Sequence, residues 1–266
     1  MVVEKRKSLE EKYKSDFMDI KKVFEEGNVT KYLVKDTNTA FMNSLRRTIM
    51  SKIPCLAIDE VTFYENDSPI FDEMLANRLG LLPIKTDLKN YKEGESVKLI
   101  LEKEGPGIVT SKDIKCTDPK IEIIDKKIYL TKLGPEKKLR LEMSAIMKTG
   151  LEHVKHQPAI ISYNELPSID NNKTHKNITE LMKSVPEGSV ESKAGKLFLL
   201  DPYNIKLHDQ PVNILEKFGV EIIYSNDEFV LTIETTGQLT REEIIKRALE
   251  VLNEKLEELS KEIKKL

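Results

Sequence analysis

Two cysteines are all that the 266 residues contain, and Cys55 and Cys116 lie far apart in no metal-ligand spacing. This scarcity argues against a disulfide framework or a thiolate-held metal and points to free, buried thiols in a reducing cytoplasm. No run of about 18 apolar residues occurs, so no membrane-spanning helix is expected. The opening stretch MVVEKRKSLEEKYKSDF lacks the apolar core of a secretory signal. Neither sign of charge dominates, since 43 basic and 45 acidic side chains leave a formal net charge of -2. Charge-driven binding to phosphates needs a basic excess, at least locally, so direct DNA binding is not expected as a main role. A phosphate-binding glycine loop, a nucleophile elbow and a metal-type carboxylate or Cys/His cluster are all missing. A cytoplasmic protein with no catalytic, cofactor or metal residues is the expectation.

What the sequence has in quantity is charge, 33% of all residues, which suits an exposed surface laced with salt bridges. Residues 20–35 read as a strand pair around the turn Glu26-Gly27-Asn28. In the next segment Phe41, Met42, Leu45, Ile49, Met50 and Ile53 recur at the three-and-four spacing of one helical face. Thr37, Asn38 and Thr39 offer N-caps for that helix, and Pro54 stops it. A strand over Ile58–Glu65, a turn over Asn66–Pro69 and a helix over Asp72–Leu82 follow, the last ended by Pro83. Short strands are expected at 97–101, 121–124, 128–130 and 138–143, separated by Gly, Pro and Asp. Residues 220–233 read as a hairpin whose turn is Ser225-Asn226-Asp227-Glu228. His153 and His156 sit three apart, but no completing ligand is near, so a structural loop is expected there.

The ordered text NSLRRTIM, then IPCLAIDEVTFYENDSPIFDEMLANRLGLLPIKT, closely resembles the signature of the archaeal RNA polymerase D subunits. That family is similar to the bacterial polymerase alpha subunit. Asn77 stands where the family commonly shows His. SKDIKCTDP, LTKLGPEKKLRLEM and GLEHVKHQPA extend the resemblance through the middle of the chain. The resemblance implies an α+β fold: an alpha-subunit-like dimerisation domain (a sheet plus two helices), an inserted β-rich domain, and a degenerate ferredoxin-like subdomain. The expected boundaries are a charged extension over 1–17, the dimerisation domain over 18–54 and 219–266, the β-rich domain over 55–167, and the small insert over 168–218. In related chains that insert would hold an iron–sulfur cluster through C-x-x-C-x-x-C-x-x-x-C. The corresponding positions here are Ile205, His208, Pro211 and Leu215. None is a thiolate, so the cluster is expected to be absent and the insert to be a cluster-free remnant.

The C-terminal segment carries its own signal. Thr240 with Glu243 forms a capping box, and Ile245, Leu249, Leu252, Leu256, Leu259, Ile263 and Leu266 then alternate steps of four and three. So many large apolar side chains left in water would forgo on the order of 10 kcal/mol, so the seam must pack on something. Some packing on its own domain is expected near Ile244, Ile245 and Ala248, and a partner chain over the distal half. By resemblance the interface would combine this helix with Phe41, Leu45, Arg46, Arg47 and Ile49 of the LRR helix, with Arg78 as a further polar anchor. The partners implied are subunit L as a heterodimer, subunits N and P, and the second-largest catalytic subunit. The chain lacks the triple-Asp metal site of the polymerase, so it would be an assembly platform and not a catalyst. A bacterial-alpha-like homodimeric scaffold and a generic coiled-coil adaptor are the alternatives.

Overall fold

The structure, a computed structural model, describes residues 18–171, 177–205 and 209–265. The extension expected over 1–17, His208 and Leu266 lie outside the described residues. Five helices are described: α1 (Thr39–Lys52), α2 (Asp72–Gly80), α3 (Ile178–Ser184), α4 (Gln210–Lys217) and α5 (Arg241–Ile263). The first six strands are β1 (Asp19–Glu26), β2 (Val29–Lys35), β3 (Pro54–Asn66), β4 (Ser96–Glu104), β5 (Gly107–Thr110) and β6 (Ile114–Cys116). The other six are β7 (Tyr129–Leu133), β8 (Lys138–Thr149), β9 (Ala159–Ile169), β10 (Val190–Lys193), β11 (Lys196–Leu199) and β12 (Ile222–Thr235). The chain divides into two compact units, 1–44 with 162–233 and 45–161 with 234–266. These cuts group α5 with the β-rich middle of the chain, whereas the sequence reading joins 219–266 to 18–54.

The first unit is built on the sheet order β1-β2-β12-β9. β1 and β2 form the expected hairpin, from Asp19 opposite Lys35 to Glu26 opposite Val29. Gly27 takes φ 53° at its turn, which an L side chain resists. The second expected hairpin is corrected: residues 222–235 form one continuous 14-residue strand. None of Ser225 to Glu228 has the positive φ that a tight hairpin turn demands. Their polar groups instead bond along the strand and across to its surroundings. Ser225 Oγ accepts from the backbone N–H of Glu228 at 3.0 Å, Glu228 pairs with Lys35 at 2.7 Å, and Asp227 O accepts from Thr37 N at 3.2 Å.

The insert in this unit is a small body of α3, α4 and the β10–β11 hairpin, registered from Val190–Leu199 to Lys193–Lys196. Ile169, Leu181, Val185, Val190, Leu197, Leu215 and Val220 make its core. Asn171 acts as a substitute strand residue: its Nδ2 donates to Leu197 O and its Oδ1 accepts from Leu197 N, both at 2.9 Å.

The second unit holds the antiparallel sheet β3-β8-β4-β6 and the β5–β7 pair. β8 shows the strand period plainly, with Leu139, Leu141, Met143, Ala145 and Met147 buried and the residues between them more exposed. Leu75 and Leu79 of α2 join Leu56, Ile58, Leu99 and Leu141 in one core. Residues 121–124 are not the strand expected of them. They make a single isolated bridge between Ile123 and Ile84, and Ile121 and Ile123 are buried all the same. Apolar alternation there reports burial of a loop.

Candidate partner interface

α5 begins as its sequence dictates. Thr240 Oγ1 accepts from Glu243 N at 3.2 Å while Glu243 Oε2 accepts from Thr240 N at 3.0 Å, satisfying two end groups reciprocally. Glu242 and Glu243 in the first turn and Lys261 in the last oppose the helix dipole favourably. At 1.5 Å per residue the helix is about 35 Å long.

Two apolar stripes run along it. Ile244, Ala248 and Val251 are buried, so this stripe is the one the chain itself covers. The expected seam lies beside it: Ile245 and Leu252 are half-buried, while Leu249 is 40%, Leu256 63%, Leu259 57% and Ile263 58% exposed. Fully burying each such side chain is worth about 1.5–3 kcal/mol, and most of that is unrealised in the single chain. Arg247 donates to Glu250 at 3.2 Å and to Glu254 at 3.0 Å, which braces the polar side of the same turns.

α1 is capped by Asn38, whose Oδ1 accepts from Phe41 N at 2.9 Å. Of the residues expected at the interface, Leu45 and Ile49 are 5% and 0% exposed in the single chain. They follow the Met42–Leu45–Ile49 spacing of the covered face, which amphipathic periodicity alone does not separate from a partner face. Phe41 and Arg46 are half-buried, and Arg47 is exposed on the stripe of Ala40 and Ser44. Arg46 Nη1 lies 3.8 Å from the thioether Sδ of Met50, one turn along. Arg78 is exposed, yet its Nη1 donates to Leu130 O at 2.8 Å, so it ties α2 to β7.

Sequence reasoning missed Phe71, Met74 and Leu81, which are 76%, 55% and 60% exposed around α2. With Arg78 they recur at steps of three, four and three, offset from the buried Leu75 and Leu79. That offset was the available signal.

The four cluster positions do not fit an iron–sulfur group. Leu215 is fully buried in the insert core, Pro211 opens α4 and Ile205 is half-buried, while His208 lies outside the described residues. The two thiols are both in the other unit. Burial pushes the Cys55 thiol up to about 12, and burial raises Cys116 as well, so neither favours the thiolate a cluster needs. The two histidines also part company. His156 is fully buried, with Nδ1 2.8 Å from Cys55 O, and a carbonyl partner puts the ring proton on that nitrogen. His153 is exposed and accepts from Lys155 N at 3.1 Å. Among the described residues no group of three or more His, Cys, Asp or Glu could hold a metal ion, and no helix is long and apolar enough to cross a membrane.

The chain is an α+β protein whose longest helix has one covered apolar stripe and one exposed one. The sequence pattern of the RNA polymerase Rpb3/Rpb11 dimerisation domain matches residues 31–256. DNA-directed RNA polymerase subunit Rpo3 of Pyrococcus furiosus is 34% identical over 259 aligned residues, covering 89% of this chain and 93% of that one. Rpo3 of Thermococcus kodakarensis is 34% identical, covering 89% and 94%, and Rpo3 of Halobacterium salinarum is 32% identical, covering 94% and 98%. The chain therefore belongs to the Rpb3/Rpb11 dimerisation-domain family of RNA polymerase subunits.

Proposed function

We propose that this chain is a non-catalytic assembly subunit of an archaeal DNA-directed RNA polymerase, working in the cytoplasm. Its partner in the first assembly step is the smaller subunit L, taken up by the exposed seam of α5 together with Phe41, Arg46 and Arg47 of α1. The heterodimer then seats subunits N and P and the second-largest, catalytic subunit, with Arg78 and its apolar neighbours on α2 as a second contact. The observation that carries this reading is the pair of stripes on α5, one covered and one bare. A helix needing only its own domain would leave no row of exposed leucines, because such a row costs solubility and gains nothing. Its family membership and the Rpo3 relatives support the same reading.

The insert, in this proposal, carries no iron–sulfur cluster and serves packing or contact. Leu215 is a buried apolar member of the insert core, and thiolates are what hold such clusters. Iron and sulfide analysis of protein purified with and without oxygen checks this. Stoichiometric iron would sink it.

Mixing the purified chain with subunit L and measuring the mass of the product tests the assembly reading. A one-to-one heterodimer is expected. A stable homodimer indifferent to subunit L would favour an alpha-like scaffold instead.

A further inference from the structure

Within the second unit, a groove of about 980 Å³ runs beside the start of α5. Its rim carries Lys52, Lys85, Lys89, Lys92, Lys120 and Lys246, all exposed. Lys85, Lys89 and Lys92 share one stretch, while Lys52, Lys120 and Lys246 come from three others, so composition could not reveal that they converge. The chain as a whole has a net charge of -2, but this groove gathers seven basic side chains against five acidic ones.

Most of those acids are already engaged. Glu122 pairs with Lys126 at 2.9 Å, Glu250 with Arg247 at 3.2 Å, and Glu243 serves the helix cap. Asp87 holds its own loop, accepting from Lys89 N at 2.9 Å and Asn90 N at 3.2 Å. The lysine ammonium groups are the charge left for a visitor. The lining also includes Pro54, Leu88, Tyr91, Pro119 and Leu239, which supply apolar surface. Tyr91 is fixed there by donating its hydroxyl proton to Asp118 at 2.5 Å.

We infer that this groove docks an extended acidic segment of a partner protein, one that alternates carboxylates with apolar side chains. Carboxylates reach the lysine rim while the apolar residues cover the apolar lining. A nucleic acid fits less well. Its phosphates follow one another at a fixed short spacing, so some would be forced against the rim's five carboxylates, whereas a peptide places its charges selectively. This inference goes beyond the assembly proposal and does not depend on it.

The test uses the full chain and a short fluorescein-labelled peptide of alternating glutamate and leucine, followed by fluorescence anisotropy. Saturable binding that weakens with added salt is expected. The triple variant Lys89→Glu, Lys92→Glu, Lys120→Glu should weaken it by roughly tenfold or more. The triple Lys→Gln variant should weaken it less, and it replaces the first if melting shows that variant unfolded. Lys196→Glu on the insert hairpin should leave binding unchanged, as should Leu256→Asp with Leu259→Asp, which separates this result from the assembly test. Absence of binding, or equal weakening by Lys196→Glu, overturns the proposal. Tighter binding of a DNA oligonucleotide of equal charge overturns the choice of occupant.

Discussion

Asp59 is held by two lysines from distant parts of the chain. Its carboxylate accepts from Lys148 at 2.8 Å and Lys155 at 2.6 Å, and Lys155 also donates to Ile58 O at 3.0 Å. The two lysines hold the Asp59 carboxyl down to about 2. A folded value below the unfolded one stabilises the fold above the ordinary carboxylate range, and this stability drains away as pH falls from about 4 toward 2. Replacing Asp59 by Asn should therefore cost about 2 kcal/mol at neutral pH and flatten the acid limb of a urea-denaturation series. His156 adds a second, milder window. Burial lowers its pKa, so the unfolded chain takes up a proton first and stability declines as pH drops below about 6.5. Gly150 sits in the same neighbourhood for a steric reason: a Cβ there would lie 2.0 Å from Met50 O and 2.7 Å from Gln157 Cγ. Gly150→Ala should destabilise by about 1–3 kcal/mol in thermal melting. An unchanged melting temperature would show that the loop gives way freely. None of these three roles is visible in sequence, because each depends on a neighbour brought from elsewhere in the chain.

At the scale of elements, α5 makes the sharpest prediction because its two stripes should respond oppositely. Ile244→Ala removes a fully buried side chain and should cost about 2–5 kcal/mol of the chain's own stability. Leu256→Asp with Leu259→Asp changes side chains 63% and 57% exposed. It should leave the isolated chain within about 0.5 kcal/mol of its original stability and abolish co-purification with subunit L. Matching losses of stability in both variants would mean that the seam is covered within the chain. Thr240→Ala should cost about 0.5–2 kcal/mol through the lost cap. Much of this element was legible: cap, period and stripe all follow from local sequence. On α1 the same period marks the face that the chain covers, where Leu45 and Ile49 lie. On β12 the polar tetrad Ser225–Glu228 imitated a turn, yet bonds to Lys35 and Thr37 keep it extended.

For the whole molecule, the family pattern over 31–256 and the Rpo3 relatives fit a chain that has stripes and grooves to offer. The insert has a small apolar core of its own. Leu215 and Val190 belong to the core of this body, and Leu215→Ala should loosen it, at about 2–5 kcal/mol. Amide hydrogen exchange confined to α3, α4 and their hairpin is the expected readout; exchange spread evenly over the first unit would point to a shared core. The lysine-rimmed groove belongs to this scale too, since its rim lysines are scattered through the sequence.

By itself the sequence determined α1, α2, α5 and many of the strands, the capping box on α5, the heptad spacing and the missing thiolates. Those depend on neighbours within a few turns, where backbone geometry and residue type act directly. Which stripe of each helix is covered, that 222–235 runs straight, and that distant lysines meet around one groove were decided by the tertiary structure. Burial and charge density are sums over residues far apart in the chain, and only folding brings those residues together.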